Sequence, residues 1–394
     1  MRSPTAGGPV RGGLRSIRRV PTRPAGPRSG PDACPGALRL HDAADGALAR
    51  VRLPGGRIAA GQLAALAALA ARFGDGNLEL TSRGNAQLRG LSADAAEPLA
   101  AALSAAGLLP SRTHELVRNI VASPLADLPV RELDAALRAD PGLAALPGRF
   151  LFALDGGSGD TLALRADLTA LPDGEILLAG HRCGLPGGDP LANLLAAAHD
   201  FLDERTAQGG TAWRLSELDN GPAAIAARAG GRGVPVMVPA PTVAPPVGVL
   251  PGALGVLVPL GRLTQDQAAA LLGTRAPAFT ITPWRGIVVP GQPATAPLAA
   301  AGLVLDASSP WAGVTACAGL PGCAKSRADV RSDAAANLPA PGPRPVHWIG
   351  CDRGCGSPSG EFTRVLATGG GYEISRGGRI LAENAPAAAV REIR

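Results

Sequence analysis

Four cysteines near the carboxyl end offer the clearest chemistry in the chain. Cys317 and Cys323 are separated by five residues, Cys351 and Cys355 by three, and Cys351 follows Cys323 by 28 residues. The amino terminus shows no apolar core of a secretory signal. A cytoplasmic, reducing compartment is therefore expected, and paired thiols there read as metal ligands rather than disulfides. Structural zinc prefers pairs with two to four intervening residues, so the five-residue arm is loose for it. An iron–sulfur cluster is larger than one ion and needs longer ligand loops. Those loops favour glycine, because bare backbone N–H groups must approach the sulfides. Gly319, Gly322, Gly350, Gly354 and Gly356 meet that need. The expected group is a 4Fe–4S cluster on Cys317, Cys323, Cys351 and Cys355, with zinc the weaker reading. Cys34 and Cys183 stand apart and read as buried or free thiols.

The elements that must position this quartet arise from an internal repeat. Pro54, Gly56, Arg57, Gln62 and Leu66 match Pro259, Gly261, Arg262, Gln267 and Leu271 at one constant offset. Each copy runs on into a β-type segment ending in Arg-Gly, at Arg83-Gly84 and Arg285-Gly286. Agreement in register, order and element type points to duplication. In the first copy the pattern predicts a strand at 49–53 and a helix at 58–73 stopped by Gly74. Short strands follow at 77–81 and 85–89, then a helix at 93–106. Beyond it, 149–154, 161–165 and 175–179 read as strands and 191–208 as a helix. The domain reading is an Arg/Pro/Gly tail at 1–31, a half-domain at 32–108 and an α+β domain without a cluster at 109–234. A proline-rich linker at 235–251 leads to a second half-domain at 252–303 and a cluster-bearing domain at 304–394.

Length and composition bound what this architecture can be. The chain has 394 residues, 46% hydrophobic and 18% charged, enough for two or three cored domains. No apolar run approaches the ~20 residues that span a bilayer, so no membrane partner is expected. The net charge is +6, yet seven arginines and no acid fall within residues 1–31. The body is thus near neutral, and no nucleic-acid partner is expected. The tail is too polar to bury a core and is expected to be disordered.

On these motifs the chain resembles the sirohaem nitrite and sulfite reductase superfamily. Its two cysteine pairs follow a duplicated half-domain, as in that family. Cys34-Pro35-Gly36, Arg52-Leu53-Pro54-Gly55-Gly56 and His347-Trp348-Ile349-Gly350-Cys351 look like its oxygenase branch. The resemblance implies an α+β fold with pseudo-twofold symmetry. Ferredoxin-like half-domains would be joined to α/β domains, one of them bearing the cluster. It implies a tetrapyrrole held between the halves against the cluster. In the oxygenase branch that tetrapyrrole is precorrin-3A, hydroxylated at C20 by O2 with γ-lactone formation in aerobic cobalamin biosynthesis. Electrons would come from NADH through a reductase, or from a ferredoxin. In the reductases the cofactor is sirohaem, and sirohaem-dependent sulfite or nitrite reduction is the alternative activity. A cluster-bearing electron-transfer or sensor protein is a third class.

The residues suit an anionic, multi-carboxylate ligand. Arg83, Asn85 and Gln87 lie across a tight turn, and Arg118-Asn119 opens another segment. Guanidinium forks grip carboxylates bidentately, which lysine cannot do. Arg149 matches the first lysine of an Arg-Lys-Phe-Lys stretch that contacts sulfite or nitrite in the reductases. The second is replaced by Leu151, which favours a large organic substrate. The expected substrate contacts are Arg83, Asn85, Gln87, Arg118, Asn119 and Arg149. The resemblance also implies a mononuclear non-haem iron to activate oxygen. His114 and His347 are its candidate ligands, because they sit beside Arg118 and Cys351.

Overall fold

The computed structural model describes residues 34–393 apart from 341, 343 and 359. The arginine-rich tail read at 1–31 lies outside the described residues. In both repeats the shared proline and glycine build one tight turn, Pro54–Gly56 and Pro259–Gly261. The turn needs left-handed backbone at Gly55 and Gly56 (φ 62° and 70°) and at Leu260 and Gly261 (φ 52° and 73°). It throws the chain out of its own sheet. Arg57–Ala59 pairs antiparallel with Ala278–Ile281 of the second repeat, and Arg262–Leu263 pairs with Leu78–Leu80 of the first. The halves thus exchange edge strands reciprocally, which covers edges that would otherwise be open.

The repeated glutamine is structural. The amide N–H of Ala59 donates to the Gln62 side chain at 3.1 Å, and that of Thr264 donates to Gln267 at 3.0 Å. Each closes the start of a helix, Ala60–Phe73 or Gln265–Gly273. Their amide nitrogens then donate to Gly107 and Gly302 carbonyls at 3.4 and 3.3 Å. Alanine and leucine on the inner faces merge into one core shared by the halves, with Leu66 and Leu88 from one and Val256 and Leu271 from the other.

Gly56 marks the tightest point of the crossing. A Cβ there would stand 1.9 Å from the Ile281 carbonyl oxygen. Left-handed strain alone costs a non-glycine residue about 1–3 kcal/mol. Gly56→Ala is expected to lower stability by about 3 kcal/mol or more in a denaturant titration. A loss below about 1 kcal/mol would mean that the strand exchange relaxes freely.

Duplication extends to the α+β blocks. Ile120–Ala122, Phe152–Leu154 and Leu168–Ala170 run parallel, then turn back antiparallel through Ile176–Leu178. Val314–Ala316, Val346–Ile349 and Thr363–Thr368 repeat the pattern, followed by antiparallel Gly371–Arg376. The fold is therefore α+β and duplicated throughout.

Several sequence expectations need correction. The predicted helix at 58–73 starts at Ala60, because 57–59 is the exchanged strand. The segment 161–165 is a helical turn, Leu162–Leu164, because the Asp155 carboxylate accepts both the N–H and O–H of Thr161. The strand expected at 149–154 is confined to Phe152–Leu154, since the Leu151 N–H is diverted to Asp167 at 2.7 Å. The proline-rich linker is anchored at both ends, through Val236–Met237 and Gly248–Leu250 in neighbouring sheets. Among the described residues no helix is long and apolar enough to cross a membrane.

Candidate functional site

Parallel pairing of Val314–Ala316 with Val346–Ile349 brings two strand ends side by side. Cys317 follows the first and Cys351 the second. The Cys317 N–H donates to Trp348 O at 2.9 Å, and the Gly350 N–H points at the Cys317 sulfur at 3.2 Å. Gly350 must be glycine, because a Cβ would fall 1.7 Å from Ser326 Oγ. Ser326 N–H donates to Cys323 O and Arg327 N–H to Gly350 O, which ties the five-residue arm to the Cys351 loop. Gly319, Gly354 and Gly356 take left-handed backbone, with φ of 68°, 58° and 80°. The four cysteines are free thiols. Burial pushes the Cys317 thiol up, and the charges of Cys355 and Cys351 act in the same direction.

Four thiols on glycine-bounded loops, with an N–H aimed at sulfur, fit a polynuclear iron–sulfur cluster. Among the described residues no three His, Cys, Asp or Glu side chains are gathered to hold a single metal ion. The two candidate histidines are each hydrogen-bonded through both ring nitrogens. His114 Nε2 donates to Asp140 O at 2.9 Å, and its Nδ1 accepts from the Thr113 hydroxyl at 2.9 Å. His347 Nε2 donates to Cys355 O at 3.1 Å, and its Nδ1 accepts from Thr315 at 2.7 Å. Burial first, then the Arg285 charge, pushes His347 down to about 3, so it stays neutral. Both rings are occupied as hydrogen-bonding struts.

Two of the sequence-predicted substrate contacts, Asn85 and Gln87, lie with Arg89 on the other side of one strand. Along Ala86–Leu91, Ala86 and Leu88 enter the shared core. Asn85, Gln87 and Arg89 point the opposite way, over about 13 Å at ~3.3 Å per residue. Asn85 reaches Asn119 in the first α+β block at 3.4 Å. Arg89 reaches the Gly322 carbonyl, beside Cys323, at 2.6 Å. Between them Gln87 accepts from Arg50 and donates to Glu79, both at 3.0 Å. This strand face therefore connects the two α+β blocks.

The arginines differ sharply in their surroundings. Arg118 is buried and bound by both oxygens of Asp134, at 2.6 and 3.0 Å. Its charge is satisfied inside the protein. Asn119 is buried too, donating to Phe150 O at 2.9 Å and accepting from Arg52 at 3.2 Å. Arg149 is exposed, its guanidinium 5.3 Å from the Trp213 ring centre. Arg83 donates to Arg149 O at 3.2 Å and forms no ion pair among the described residues. Burial, then the charges of Arg214 and Arg52, push its pKa down to about 9. The charge of Asp167 offsets only part of that crowding. Leu151, where the reductases carry a lysine, is 1% exposed and faces a small apolar cluster with Val121 and Ala153.

Sequence reasoning missed Arg52, Arg214, Arg331 and Glu79, which join these contacts. It assigned no role to Arg285, yet Arg285 donates to Gly356 O, beside Cys355, at 2.9 Å. The repeat itself was the available signal, since Arg285 is the copy of Arg83.

Comparisons with known proteins agree with this architecture. Residues 41–106 match the nitrite/sulfite reductase ferredoxin-like half domain. A precorrin-3B synthase of Sinorhizobium sp is 27% identical over 376 residues, covering 87% of this chain and 82% of that protein. A ferredoxin–nitrite reductase of Synechococcus elongatus is 33% identical over 131 residues, covering 29% of this chain and 26% of its own length. The solved structure of the Mycobacterium tuberculosis NirA protein superimposes with a TM-score of 0.67 at 19% identity, covering 86% of this chain and 77% of that one. Residues 41–106 thus match a nitrite/sulfite reductase ferredoxin-like half domain, and the duplicated fold around it is similar to that of NirA.

Proposed function

We propose that the protein is a cytoplasmic oxygenase that converts precorrin-3A to precorrin-3B in aerobic cobalamin biosynthesis. The observation that carries this reading is likeness to a precorrin-3B synthase along 87% of the chain. In the reaction one atom of O2 enters C20 as a hydroxyl. The other leaves as water after taking up two electrons and two protons, and the ring A acetate closes as a γ-lactone. Cys317, Cys323, Cys351 and Cys355 would hold a 4Fe–4S cluster, which would supply electrons one at a time. They originate in NADH through a reductase, or in a ferredoxin.

The chain's own residues bind and orient the macrocycle. Arg83, lacking a carboxylate partner, grips an acetate or propionate arm. Arg149, stacked on Trp213, presents a second cation at the same rim. Arg118, Asn85 and Asn119 act from behind by fixing the strand and loop that carry them. Gln87, pinned between Arg50 and Glu79, holds the strand in register. Buried Leu151 leaves no lysine there to deliver protons to a small oxyanion, which supports a large organic substrate over sulfite or nitrite.

Reconstituted protein, given precorrin-3A, O2 and reductant, is expected to yield a product heavier by one oxygen atom. Arg83→Ala is expected to raise KM for the tetrapyrrole about 10- to 100-fold, the equivalent of one charge-assisted bond of roughly 1.5–3 kcal/mol. The cluster spectrum should stay unchanged. Local likeness to ferredoxin–nitrite reductases favours a second reading, a sirohaem-dependent sulfite or nitrite reductase. Extraction of an iron isobacteriochlorin from pure protein that reduces either anion would establish it and overturn the first.

A further inference from the structure

Arginines from three different elements donate to backbone carbonyls of the cysteine loops. Arg331 Nε bonds Cys317 O at 3.2 Å, Arg89 bonds Gly322 O at 2.6 Å, and Arg285 bonds Gly356 O at 2.9 Å. Two of these cations are neutralised locally. Arg89 is paired with Asp45 at 2.8 Å and Arg331 with Glu79 at 2.6 Å. Arg285 is not. It is 9% exposed and forms no ion pair among the described residues. Burial, then the charge of Arg331, pushes it down to about 10, which leaves it cationic at neutral pH.

A buried charge without a counter-ion costs several kcal/mol. The chemistry next to it supplies the missing anion, since four thiolates around an iron–sulfur cube carry net negative charge. We propose that Arg285 is the electrostatic set-point of the cluster: its buried guanidinium holds the Cys355 loop and raises the cluster's reduction potential. The inference rests on reading the four cysteines as cluster ligands. Reduction adds one negative charge to the cluster, so a fixed cation nearby stabilises the reduced state. The duplication accounts for its origin. Arg83 makes the same kind of bond, to Arg149 O, on the block without the cysteine quartet. One ancestral arginine thus faces the substrate side in one half and the cluster in the other.

The test is a redox titration of the full-length protein, followed by the paramagnetic signal of the reduced cluster. Arg285→Gln is expected to move the midpoint to more negative potential with iron and sulfide content unchanged. Arg285→Lys keeps the charge and is expected to stay near wild type. Loss of the cluster from the glutamine variant alone would also support a requirement for charge. An unshifted glutamine variant with full iron content overturns the proposal, as does equal loss of the cluster from both variants. Wild-type protein without iron and sulfide would refute the ligand assignment itself, and that result is read before any variant is made.

Discussion

Cys351→Ser is expected to remove the cluster and with it at least about 100-fold of turnover, the upper end of what even outer-shell changes cost a metal site. Iron per protein should fall to near zero after reconstitution, and the visible absorption should bleach. The position has no substitute nearby. Cys351 is placed by the parallel pairing of Val346–Ile349, and the preceding Gly350 is locked against Ser326. A serine hydroxyl ionises far less readily than a thiol and binds iron poorly in its place. Cys351 is half-buried, so the apo form should keep its stability within about 0.5 kcal/mol. The loss would then report ligation rather than folding. Cys183→Ser is the control, because that thiol is fully buried in the first α+β core and should leave the pigment intact. Full iron content and turnover in the Cys351 variant would refute the ligand assignment.

Arg89→Ala is expected to lower stability by about 3 kcal/mol, the lower end of the range for stripping one partner from a buried pair. The lower end applies because the Asp45 side chain is 22% exposed. The guanidinium is 7% exposed and binds both Asp45 oxygens, at 3.0 and 2.8 Å. It also ties the first half-domain to the cysteine loop at Gly322. Its removal strands Asp45, whereas Glu79 keeps Arg331. Two further outcomes are specific to this geometry. Adding Asp45→Ala should recover part of the loss, because the stranded charge is then gone. Arg89→Lys should not rescue it, because an ammonium cannot reproduce the two-point fork. Denaturant titration of the apo proteins measures all three. A single-variant loss under about 1 kcal/mol would show that the link to the cysteine loop is incidental.

These results rest on features of unequal visibility in the sequence. Cysteine spacing, glycine placement and the repeat are local patterns, and each has its counterpart in the structure. Pro54, Gly56 and Gln62 matched their copies because a left-handed turn and a helix start impose those residue types wherever they occur. The strand exchange that the turn serves was not legible, since Arg57–Ala59 reads as the start of a helix until its partner at Ala278–Ile281 is known.

The chain by itself determined that thiols in two pairs, a doubled α+β scaffold and a set of arginines would occur together. Only the tertiary structure decided which arginines remain uncompensated. Arg118 and Arg83 look alike in sequence, yet Asp134 neutralises the first, and among the described residues the second forms no ion pair. Arg89 finds Asp45 at 44 residues and Gly322 at 233 residues along the chain. His114 and His347 meet the Asp140 and Cys355 carbonyls in the same way. The reason is physical. Residue type and spacing set what a side chain can do, but the field it experiences and the partners that occupy it come from chain segments that only folding brings within a few ångströms.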